Sequence, residues 1–94
     1  MNTVTPQFKT RTVENGSELQ IALPGIDKSA VTLTARDEQI IVETVAKDQK
    51  SYRLNLRVSD RLDATATVAN FKNGLLALTI PLKEAHAPKR IEVS

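Results

Sequence analysis

Apolar side chains recur at every second position along most of this chain, and nowhere hold the spacing of an amphipathic helix over a dozen residues. Residues 8–13 alternate apolar with polar and read as an edge strand. Asn15-Gly16 turns the chain into residues 18–23, where Leu19, Ile21 and Leu23 face one way. Pro24-Gly25 breaks that strand, and residues 27–30 can form one helical turn with Asp27 as its N-cap. Val31, Leu33 and Ala35 then point inward while Thr32, Thr34 and Arg36 point out. Residues 40–45 are β-branched and read as a well-buried strand. Tyr52, Leu54, Leu56 and Val58 alternate with Arg53, Asn55 and Arg57, a half-buried strand. Ala64, Ala66 and Val68 alternate with Thr65 and Thr67, which predicts a further strand.

Asn73-Gly74 follows. Asn-Gly suits a two-residue type I′ hairpin turn, which needs positive φ at both central positions. Beyond it Leu76, Leu78 and Ile80 alternate with Leu75, Ala77 and Thr79, so this strand is apolar on both faces and belongs at the centre of its sheet. Pro81 has no N–H to donate and closes it. Seven or eight short strands, with turns every 8 to 12 residues, predict an all-β fold: an antiparallel, immunoglobulin-like β-sandwich.

Three stretches in this order resemble the small heat shock protein family and its α-crystallin domain. The run Ala69-Asn70-Phe71-Lys72-Asn73-Gly74-Leu75-Leu76-Ala77-Leu78-Thr79-Ile80-Pro81 is similar to that family's signature hairpin, at Ala69, Phe71, Asn73, Gly74, Leu76, Leu78 and Ile80. Leu23-Pro24-Gly25-Ile26 before Val31-Thr32-Leu33 resembles its leucine-proline-glycine corner and next strand. Pro88-Lys89-Arg90-Ile91-Glu92-Val93 resembles its C-terminal anchor. The resemblance spans roughly residues 10 to 94. It implies an ATP-independent holdase that binds non-native client proteins and limits their aggregation. It also implies self-association, as a dimer or small oligomer, through the tail. The tail anchor would be Ile91 and Val93. The groove for tail or client would lie between residues 31–35 and 65–69, with Val31, Leu33, Ala66 and Val68 as its apolar positions.

The expected organisation is a short flexible N-terminal segment (1–8), the sandwich (9–82), and a linker with its Ile-x-Val tail (83–94). Two departures from the family pattern bear on function. Residues 1–7 are polar and hold no long apolar arm, which argues against large assemblies and strong client capture. About five residues join the strands ending near Val45 and starting near Tyr52, where bacterial and plant members carry a long insertion with an exchanged strand. At ~3.3 Å per residue they reach no partner. That shortness favours the alternative of a co-chaperone-like module docking on a folded partner.

The tail has a physical logic of its own. An extended apolar-x-apolar segment sends both side chains to one face. Added to a sheet edge, it gains main-chain hydrogen bonds while the side chains fill pockets, and burying both gives about 3–5 kcal/mol before entropic costs.

Composition narrows the remaining choices. Ninety-four residues make one domain, and 40% hydrophobic with 26% charged residues is an ordinary globular balance. The formal charge of +2 comes from scattered residues without a basic block, and aromatics are 3%, so nucleic acid is not an expected partner. Zero cysteines removes thiol chemistry and suits a reducing compartment. With no leader-like or membrane-length apolar run, the expectation is a cytoplasmic protein with no membrane partner. His86, the one histidine, stands in the 83–89 linker, and no nucleophile, phosphate loop or metal-ligand spacing surrounds it. No enzyme, metal or cofactor is expected.

Overall fold

The computed structural model describes residues 3–45, 51–84 and 93, which form two four-stranded sheets packed face to face. Their strands are β1 (Thr3–Val4), β2 (Phe8–Val13), β3 (Gly16–Ala22), β4 (Val31–Arg36), β5 (Gln39–Thr44), β6 (Ser51–Arg57), β7 (Val68–Lys72) and β8 (Leu75–Pro81). One sheet has the order β1-β6-β5-β4 and the other β2-β3-β8-β7. All pairings are antiparallel except the two-residue parallel contact of β1 with β6. The expected all-β sandwich is therefore the fold, with two three-residue 3-10 turns, Lys28–Ala30 and Ala64–Ala66, between its strands.

Alternation decides what is inside. In β3, Leu19 and Ile21 pair with Leu78 and Leu76 of β8, and all four are buried. Across the interior, Ile40 and Val42 of β5 are fully buried, with Leu54 of β6 beside Val42. Leu23 and Ile80 complete a core built almost wholly of aliphatic side chains. A strand period of two sends the intervening residues to water. That is why β8, apolar on both faces in sequence, is buried on one: Leu75 stays 41% exposed although β8 sits between β3 and β7.

The turn at Asn73-Gly74 forms as expected, with φ of 51° and 76°. Lys72 faces Leu75 across it. The Asn15-Gly16 turn is shifted by one residue. Val13 pairs with Gly16, so Glu14 and Asn15 make the turn and Gly16 begins β3. Packing accounts for the shift: a Cβ at Gly16 would stand 2.0 Å from the Ile80 carbonyl oxygen.

Two further expectations are corrected. Residues 3–7 are tied down rather than loose. Thr3 and Val4 pair with Ser51 and Tyr52, Pro6 is buried, and the Ala22 N–H donates to the Gln7 carbonyl at 2.9 Å. The strand expected over residues 64–68 is instead the 3-10 turn Ala64–Ala66, with β7 starting at Val68. Local side chains compete there with the sheet ladder. Thr67 Oγ1 donates to the Ala64 carbonyl at 2.6 Å and Thr65 Oγ1 to Asp63 Oδ1 at 2.8 Å. The Lys28–Ala30 turn forms where expected. Its Asp27 closes it through the main-chain carbonyl, which accepts from Ala30 N–H at 2.9 Å, and not through its carboxylate.

Candidate peptide-binding groove

The sandwich has two open sides, and the chain closes one of them. On that side, residues 5–7 cross from β1, the outer strand of one sheet, to β2, the outer strand of the other. On the opposite side β4 and β7 are the outer strands. The Ala64–Ala66 turn lies against β4 and leads within two residues into β7, so it spans from one sheet's outer strand to the other's on this side. Among the described residues each has one neighbour, β5 for β4 and β8 for β7, and its outer row of main-chain N–H and C=O groups meets no further strand. Such an edge is a ready template for another extended chain.

The register fixes which side chains line this opening. Val31, Leu33 and Ala35 of β4 face Thr44, Val42 and Ile40 of β5, all three of which are buried. Val31 and Leu33 are themselves only partly buried, packed against the core from the rim. On β7 the inward positions are Ala69 and Phe71, opposite Leu78 and Leu76. Phe71 is partly buried against the same core. The opening is thus an apolar strip on both walls, capped at one end by the 3-10 turn.

Of the four positions expected to line the groove, Val31 and Leu33 lie on its β4 wall. Ala66 sits exposed in the 3-10 turn. Val68 pairs with Thr79 on the outward face and is 67% exposed. Ala69 and Phe71, which the expected alternation does not place in the groove, supply its β7 wall. Their signal was available: counting back by twos from Phe71 puts residue 69, not 68, inward. The alternation of Ala64, Ala66 and Val68 has the opposite phase because the 3-10 turn breaks the period. The signature-hairpin residues Leu76, Leu78 and Ile80 are core. Of the tail anchor, Ile91 lies outside the described residues, and Val93 is 95% exposed and not buried against its own domain.

The fold is thus an antiparallel β-sandwich of two aliphatic-cored sheets, one side crossed by residues 5–7 and the other lined, among the described residues, by an apolar strip between β4 and β7. The sequence matches the Hsp20/alpha crystallin family over residues 9–94, and the chain belongs to that family. Among curated relatives it is 30% identical to small heat shock protein C4 of Rickettsia felis, over 92% of this chain and 63% of that protein. It is 24% identical to spore protein SP21 of Stigmatella aurantiaca, over 95% of this chain and 62% of that one. The chain thus spans a little under two thirds of these relatives. The fold is shared with a small heat-shock protein from Xylella fastidiosa (TM-score 0.76, 21% identity, 96% of each chain). It is shared too with heat shock protein 16.0 from Schizosaccharomyces pombe (TM-score 0.74, 19% identity, 96% of this chain and 76% of that one). The match to the Rickettsia protein extends over 106 positions, more than this chain possesses, so that relative carries residues inside the matched region that this chain lacks.

Proposed function

We propose that this chain is an ATP-independent holdase. It binds extended apolar segments of partly unfolded proteins between β4 and β7, and its own tail competes for the same place through Ile91 and Val93. Membership of the small heat shock protein family supports a chaperone role in general. The observation that carries the specific reading is a pair of strand edges that have no outer neighbour among the described residues, with the half-buried Val31, Leu33 and Phe71 between them. An incoming strand gains main-chain hydrogen bonds from an edge, and alternate side chains gain apolar contact. No energy source is required, because binding to the unfolded state acts by mass action. Val93, exposed on its own chain, is available to a neighbour's groove, which favours assembly between copies. The site of action under this reading is the cytoplasm.

Light scattering of a heat-labile client, with this chain in several-fold excess, tests the holdase. Suppression without nucleotide is expected, and unabated aggregation would refute it. A second reading, a module docking on one folded partner, is favoured by the short connection between β5 and β6. Recovery of a folded partner, with no affinity for denatured protein, would decide for it.

A further inference from the structure

Two Asn-Gly pairs stand at hairpin tips, Asn15-Gly16 and Asn73-Gly74, and the fold treats them unequally. In the β2–β3 hairpin the turn is Glu14 and Asn15, and Gly16 already lies buried in β3, paired with Val13 on one side and Pro81 on the other. The Asn15 carbonyl accepts from the Leu82 N–H at 3.0 Å. The peptide unit joining Asn15 to Gly16 is thus held at its carbonyl by Leu82 and at Gly16 by the sheet. In the β7–β8 hairpin both Asn73 and Gly74 are turn residues, between the paired Lys72 and Leu75, and Asn73 is exposed. Among the described residues neither the Asn73 carbonyl nor the Gly74 N–H takes part in a main-chain hydrogen bond. That peptide unit is free to turn.

From this contrast we propose that Asn73 is a site of spontaneous covalent modification, by deamidation through a succinimide. The electron pair of the Gly74 main-chain nitrogen attacks Asn73 Cγ, forming an N–Cγ bond and closing the ring. The Cγ–Nδ2 bond breaks, and Nδ2 leaves as ammonia with the proton that Gly74 gives up. Water then opens the ring, and no oxidant or reductant enters. Addition at Cγ leaves an ordinary aspartyl residue; addition at the main-chain carbonyl leaves an isoaspartyl linkage. Glycine has no Cβ to hinder the attacking nitrogen. Ring closure swings the peptide unit toward the side chain, which at Asn15 first has to break the Leu82 bond and the strand pairing of Gly16. Openings that cost more free energy are populated less, so Asn15 is protected. Either product exchanges a neutral amide for a carboxylate and lowers the formal charge of +2 by one. The isoaspartyl product also adds a carbon to the main chain of a two-residue turn. It thereby draws the Gly74 carbonyl off the Leu23 N–H that donates to it, and unfastens the corner after β3 from the hairpin tip.

The test incubates the full chain at mildly alkaline pH, where the attacking amide nitrogen loses its proton more readily. Peptide mapping by mass spectrometry, with electron-transfer fragmentation, follows each site and separates the two products. In the folded chain Asn73 should convert at least about tenfold faster than Asn15, the factor given by ~1.4 kcal/mol of extra opening free energy. In concentrated guanidinium the two rates should converge, and in the isoaspartyl form the Leu23 amide should exchange about tenfold faster than in the unmodified chain. Equal rates in the folded chain, faster conversion at Asn15, or conversion of Asn73 only in guanidinium would overturn the assignment. So would a preference for Asn73 that guanidinium leaves unchanged, since it would not come from the fold. Unaltered Leu23 exchange in the isoaspartyl form would overturn the unfastening. Asn73→Gly keeps a residue suited to positive φ and removes the amide. It should hold Leu23 protection through the same incubation, and an equal loss there would also count against the proposal.

Discussion

The main-chain N–H of Leu23 donates to the carbonyl oxygen of Gly74 at 2.7 Å, fastening the leucine-proline corner after β3 to the tip of the β7–β8 hairpin. Two motifs far apart in sequence thus form one structural joint. Gly74 holds φ at 76°, and a Cβ there would approach Pro24 Cα at 3.3 Å. Because left-handed backbone costs a non-glycine residue about 1–2 kcal/mol, Gly74→Ala should lose about that much stability. Urea unfolding measures it, and an unchanged midpoint would mean that the joint is not under this constraint.

Gly16 is held by contact rather than by its turn. With φ at 152° and the Ile80 carbonyl 2.0 Å from where a Cβ would stand, β3 and β8 have to part locally for any side chain. Gly16→Ala should therefore cost more than Gly74→Ala, about 3 kcal/mol or more. Thermal unfolding of the two variants side by side checks the order.

The two faces of β8 should respond differently to the same truncation. Leu76 is 2% exposed and Leu75 is 41% exposed. Leu76→Ala leaves a core cavity and should cost about 2–5 kcal/mol. Leu75→Ala should cost well under half of that. Equal losses would mean that the outer face is covered in solution.

Thr44 is the one buried polar side chain among the described residues, and its Oγ1 accepts the Tyr52 N–H at 2.9 Å. This bond continues the β5–β6 hairpin past its last strand pair, Glu43 with Arg53. Thr44→Val keeps the shape and strands a donor, for a loss of about 1–3 kcal/mol. Thr44→Ser keeps the acceptor and should retain most of that. Denaturation of the pair separates hydrogen bonding from packing.

Much of this was legible because a period of two is a strong signal when one face is buried. Leu19, Ile21 and Leu23 inward, Leu54 and Val58 inward, and the type I′ turn at Asn73-Gly74 all follow from side-chain chemistry. What escaped depended on contacts between distant segments. Nothing near Gly16 announces the Ile80 carbonyl. Nothing in Thr3 and Val4 announces that the end of β6 has an open place for them. The β7 wall of the groove was mis-phased because Thr65 and Thr67 look like strand residues while their hydroxyls bond local partners, displacing Ala66 and Val68 from the strip and leaving it to Ala69 and Phe71.

Extended chain that enters between β4 and β7 shields the amides of both edges. Amide hydrogen exchange of this chain, with and without a chemically unfolded client, reads that shielding residue by residue. New protection is expected in Val31–Arg36 and Val68–Lys72. Suppressed aggregation with unchanged exchange in both segments, or with protection placed elsewhere, would contradict it.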